Sequence, residues 1–79
     1  MTAGQIRAAR GLLDWSQQDL ADVAKLSVQT IKRMEGALGP DRSTAANVDA
    51  VLRALSSAGI VFLAASERTD GGPGVRLKK

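Results

Sequence analysis

QQDLADVAKLSVQTIKRME, residues 17 to 35, reads as two short helices joined by a tight turn, and the rest of the chain falls into place around it. Ser16 precedes the stretch as an N-cap, its hydroxyl able to accept from an N–H that the first turn leaves without a partner; Asp19 stands where a capping box carries Glu or Gln. Trp15 and Leu20 occupy the two positions of a hydrophobic staple. The second helix repeats the arrangement, with Ser27 as cap and Leu26 and Ile31 as staple. Leu20, Ala21 and Ala24 give the first helix an apolar stripe, and Ile31 and Met34 give one to the second. The short side chain of Ala21 suits a point where two helices cross steeply, since a larger residue would hold them apart. With Ile31 and Met34 turned inward, the second helix presents Val28, Gln29, Lys32 and Arg33 outward. An amphipathic pair in any small bundle would explain Leu20 and Ile31, but not that polar outer face.

Ser16-Gln17, Leu20-Ala21, Leu26, Ser27, Ile31 and Glu35-Gly36 together resemble the Cro/repressor (Xre-type) helix-turn-helix family, and the likeness runs over roughly residues 3 to 57. The resemblance implies a DNA-binding domain whose recognition helix, the second of the stretch, enters the major groove. One position departs from the family pattern: the turn residue, usually glycine, is Lys25, and a left-handed backbone there should cost about 1 kcal/mol.

Seventy-nine residues make a core near the lower limit for independent folding, so a partner subunit is expected to help. The chain has no cysteine and no histidine. Disulfides and thiolate chemistry are thereby excluded, and the commonest zinc ligands and general base are missing, so neither an enzyme, a metal site nor a cofactor is expected. The formal charge is +3; residues 1 to 64 hold seven Lys/Arg against six Asp/Glu, and residues 65 to 79 hold four against two. The excess sits in the recognition helix and the tail, as suits a nucleic-acid partner. No apolar run approaches a membrane span, and MTAGQIRAARGL lacks the apolar centre of a signal peptide, so a cytoplasmic protein, nucleoid-associated when bound to DNA, is expected.

In chain order, Thr2 caps a first helix to about Leu13, with Ile6, Ala9 and Leu13 on its buried face. The family resemblance implies that Arg10 and Glu35 form a structural ion pair tying this helix to the end of the recognition helix. Gly36 follows that helix as C′; residues 37 to 43, ALGPDRS, form a loop in which Gly39 allows a turn and Pro40 blocks a helix. Ser43 or Thr44 caps a fourth helix to about Ser57, packed through Val48, Val51, Leu52 and Leu55, and Gly59 stops it. IVFLAA, residues 60 to 65, then reads as a strand, residues 66 to 74 as a polar Gly/Pro loop, and VRLKK as a second, half-buried strand. The GGPGVRL ending is similar to that of a group of small bacterial Xre-type regulators. Its glycines signal a turn rather than a phosphate loop, because no helix follows.

The expected architecture is mainly α: a four-helix domain over residues 1–58 and a two-stranded β-hairpin over residues 59–79. The expected function is a sequence-specific DNA-binding regulator, a repressor acting as a homodimer on a short palindromic operator; the alternative is an antitoxin whose tail grips a toxin. A polymerase contact is left open. Val28, Gln29 and Arg33 are expected at base edges, and Ser16, Gln17, Ser27, Thr30 and Lys32 at phosphates. The family resemblance implies that the loop after the recognition helix approaches the DNA backbone, which makes Arg42 a further phosphate contact. In a hairpin covered on one side only, alternate residues should be polar, yet Ile60, Val61, Phe62 and Leu63 are all apolar. Those four, with Val75 and Leu77, are therefore expected at the dimer interface; the alternative is a hairpin packed within its own subunit, with dimerisation through the fourth helix or on DNA only.

Overall fold

A computed structural model describes residues 1–40, 43–63 and 74–78. They form α1 (Ala3–Leu13), α2 (Gln17–Ala24), α3 (Val28–Met34), α4 (Ala45–Ser57), β1 (Ile60–Leu63) and β2 (Gly74–Leu77), with β1 and β2 paired antiparallel. The fold is the mainly helical domain with a terminal hairpin that the sequence implies.

Each helix starts on a hydroxyl. The Thr2, Ser16, Ser27 and Thr44 side chains accept from the N–H groups of Gln5, Asp19, Thr30 and Asn47 at 3.1, 3.0, 3.2 and 3.1 Å. At α1 and α2 the box closes: the Gln5 amide oxygen accepts from Thr2 N at 2.8 Å and the Asp19 carboxylate from Ser16 N at 2.9 Å. A cap of this kind contributes about 1 kcal/mol. Thr44, not Ser43, caps α4.

The two turns inside the first three helices are the same motif. After α1, Asp14 takes φ 57° and Trp15 N donates back to Arg10 O at 2.9 Å; after α2, Lys25 takes φ 61° and Leu26 N donates to Ala21 O at 2.9 Å. Both are left-handed helix ends of the Schellman type, closed without glycine. Gly36, by contrast, is not left-handed. A Cβ there would lie 3.2 Å from the Arg33 carbonyl oxygen, so crowding against the last turn of α3 explains the glycine.

The buried core is Ile6, Ala9, Leu20, Ala21, Ile31, Met34, Val51, Ala54, Leu55 and Ile60. It takes at least one residue from every helix and one from β1, so the hairpin and the helices share an interior. Phe62, Val75 and Leu77 pack against that interior, and the buried Gln5 side chain donates to the Gly74 carbonyl at 3.0 Å, linking α1 to β2. Leu52, expected inside, is instead 37% exposed. At ~100° per residue, Val48, Val51, Ala54 and Leu55 define the inward arc and Leu52 falls at its margin. Strand β2 starts at Gly74, one residue earlier than its alternation suggests, because a backbone partner opposite Leu63 is all that pairing requires. Residues 64 and 65, expected to continue β1, lie outside the described residues. No helix among the described residues is long and apolar enough to cross a membrane.

Candidate nucleic-acid interface

Glu35, the C-cap of α3, fixes how the recognition helix is held. Its carboxylate accepts from Arg10 Nε at 2.7 Å, Arg10 Nη2 at 2.8 Å and Gln17 Nε2 at 3.3 Å, and its backbone carbonyl accepts from Arg7 Nη1 at 2.7 Å. One residue therefore ties α1, α2 and α3 together. The Glu35 side chain is 3% exposed and that of Arg10 19%. A third bond, Arg10 Nη1 to the Trp15 carbonyl at 3.0 Å, gives the guanidinium a further fixed acceptor. Hydrogen bonding to Glu35 raises the Arg10 pKa above its ordinary value, with burial opposing. A carboxylate so buried and so paired presents little negative potential to an approaching phosphate.

With Thr30, Ile31 and Met34 buried, α3 turns Gln29, Lys32 and Arg33 fully outward. Val28 lies at the margin of this arc, half-buried and packed against the core, so only part of it faces out. Ser16 and Ser27 are exposed at the starts of α2 and α3. Gln17 is half-buried and already holds Glu35, which leaves one amide hydrogen for another acceptor. Thr30, expected at a phosphate, is 8% exposed, and its hydroxyl lies 2.9 Å from Ser27 Oγ. Its side chain braces the start of α3 rather than projecting from it. Arg42 lies outside the described residues.

Sequence reasoning gave no role to Arg7 or to the flank of Arg33. Arg7 holds the end of α3, but a lone exposed arginine carries no signal of which carbonyl it meets. Arg33 shares an open cleft of about 260 Å³ with Gly39, Ser43, Thr44 and Asn47, at the N-terminus of α4. The hydroxyl cap Thr44 was the available sign in the sequence of a polar helix start here; that Arg33 lies beside it depends on how α3 and α4 pack, which no local pattern records. Among the described residues no group of His, Cys, Asp and Glu is arranged to hold a metal ion.

A buttressed second helix with a polar outer face, set across a short turn from its partner, is the geometry of a major-groove reader. The helix-turn-helix family model matches residues 6–56, most of the chain, and the chain belongs to that family. It is a DNA-binding regulator of the Xre-type class. Comparison with curated proteins and with solved structures found no match.

Proposed function

We propose that this regulator is a sequence-specific repressor that binds a short palindromic operator as a homodimer and acts by occupying the promoter. The observation that carries the reading is the division of α3 into a sealed face of Thr30, Ile31 and Met34 and a free face of Gln29, Lys32 and Arg33. Arg33 reads guanine through its guanidinium fork and Gln29 reads adenine, while Val28 offers part of its side chain to a thymine methyl. Lys32 contacts phosphate. So do Ser16, Gln17, Ser27 and Arg42, with the backbone N–H groups at the start of α2 adding to the Gln17 amide. Thr30 acts through the brace it gives Ser27. Two subunits related by a two-fold axis set their α3 helices about 34–36 Å apart, one DNA turn, on an operator of matching symmetry. No cofactor enters this reading.

Selection of bound fragments from random DNA tests it. Recovery of an inverted repeat with half-sites one turn apart is the expected result; recovered fragments with no shared sequence would refute sequence-specific binding.

A further inference from the structure

Strand β1 has a second edge, and the register says what that edge offers. Lys78 N donates to Gly59 O at 2.6 Å, and the pairs that follow are Ile60 with Leu77, Val61 with Arg76, Phe62 with Val75 and Leu63 with Gly74. Bonded and non-bonded pairs alternate in an antiparallel ladder. Val61 and Leu63 therefore spend their backbone groups on β2, while Ile60 and Phe62 turn their N–H and C=O groups to the other side. Among the described residues the sheet holds only β1 and β2, so no third strand receives them.

The two edges differ in charge. Strand β2 carries Arg76 and is followed by Lys78, whereas Ile60, Val61, Phe62 and Leu63 carry no charge. Charged side chains are a usual guard against edge-to-edge pairing, and β1 lacks them. Side chains divide in the same sense. Ile60, Phe62, Val75 and Leu77, all expected at a subunit interface, face their own core. Val61 is half-buried on the opposite face, beside Arg76, and is not among the residues packed against the core.

The geometry points to a second copy of this chain as the occupant of the edge: β1 pairs antiparallel with β1 of another subunit about a two-fold axis through Val61, making one continuous sheet in the order β2-β1-β1-β2. In that register Ile60 stands opposite Phe62 of the other copy, and the outward N–H and C=O groups of both residues are satisfied. Centring the pair on Phe62 would leave those of Ile60 without a partner in β1. The charge distribution selects the same edge. Pairing through β1 places the two Arg76 side chains three strand spacings apart, roughly 14 Å, whereas pairing through β2 would set like charges side by side. A β1-to-β2 contact would be head-to-tail and would not close into a dimer. The inference rests on the homodimer reading and names its interface.

Because the chain has no cysteine, Val61→Cys supplies a single reporter at the axis. Residues opposite one another in a non-bonded pair lie about 4.5 Å apart at Cα, within disulfide reach. Oxidised full-length Val61→Cys should run as a covalent dimer and keep operator binding, while Arg76→Cys should not cross-link. Val61→Lys, which sets two ammonium groups at the axis, should raise the dimer dissociation constant at least ten-fold with the helical circular dichroism unchanged. If the unmodified chain sediments as a dimer but Val61→Cys does not cross-link, or Val61→Lys dimerises undiminished, this interface is wrong while the homodimer stands. If the unmodified chain is a monomer in solution and protects a single half-site on DNA, both readings fall.

Discussion

The buried Glu35 carboxylate depends on Arg10 more than on any other group, because two of its three side-chain hydrogen bonds come from that guanidinium. Arg10→Ala leaves the charge buried with one long contact to Gln17, and should cost about 3–5 kcal/mol in urea unfolding. Replacing both partners with methionine should recover much of that loss, since the desolvation penalty disappears with the charge. A double mutant no more stable than Arg10→Ala would show that the pair is held by packing instead. Lys25 is a second test at this scale: its φ of 61° strains a side-chain-bearing residue, so Lys25→Gly should gain up to about 1 kcal/mol. For a domain of this size that is a rise in Tm of about 4–8 °C. The sequence exposed this strain because the family pattern has a glycine at that place. It gave no such warning for Asp14, which has the same backbone and the same closing bond, because aspartate enters left-handed turns often enough to pass unnoticed. Caps were legible for a different reason: a hydroxyl before an apolar periodic run has few other uses.

At the scale of elements, the division of α3 into two faces separates the effects of neighbouring residues. Arg33→Ala should weaken operator binding by roughly 1–3 kcal/mol and relax discrimination at one base pair per half-site. Lys32→Ala should lower the salt slope by about 1 and leave the preferred sequence as it was. Gln17→Ala should weaken binding to operator and to random DNA by similar factors; a change at one operator position in competition assays would place Gln17 at a base instead. Helix existence, order and inward faces followed from spacing, since an apolar stripe has to find a core. Margins did not. Leu52 and Val28 each sit about 60° or more from the centre of their helix's buried arc, where spacing alone does not say whether the neighbouring element reaches them. The Gln17–Glu35 bond was hidden for the same reason. It depends on where α2 and α3 end up relative to one another, which no local pattern records.

On the scale of the whole molecule, the hairpin is part of the fold before it is part of any assembly. The spacing of its apolar residues showed two strands but not which face the helices would cover, and it was the structure that put Ile60 at 3% exposure among Val51, Leu55 and the rest of the interior. Deleting the tail would therefore damage the helical domain as well as any interface, and loss of DNA binding in such a truncation would not tell the two apart. Adjacent point changes do. Ile60→Ala removes a buried side chain from a small core and should lower stability by about 2–4 kcal/mol, followed through the single tryptophan, Trp15, which packs against that core. A domain of this size has only about 5–15 kcal/mol to lose. At low temperature, where the variant remains folded, its β1 backbone is intact and it should still associate and bind operator. Val61→Lys, one residue along and on the other face of the strand, should do the reverse: at dilutions where both chains are monomers its unfolding should match that of the unmodified chain within about 0.5 kcal/mol, while association weakens at least ten-fold. An Ile60→Ala protein as stable as the unmodified chain would place this residue outside the core and would overturn the packing of β1 described above.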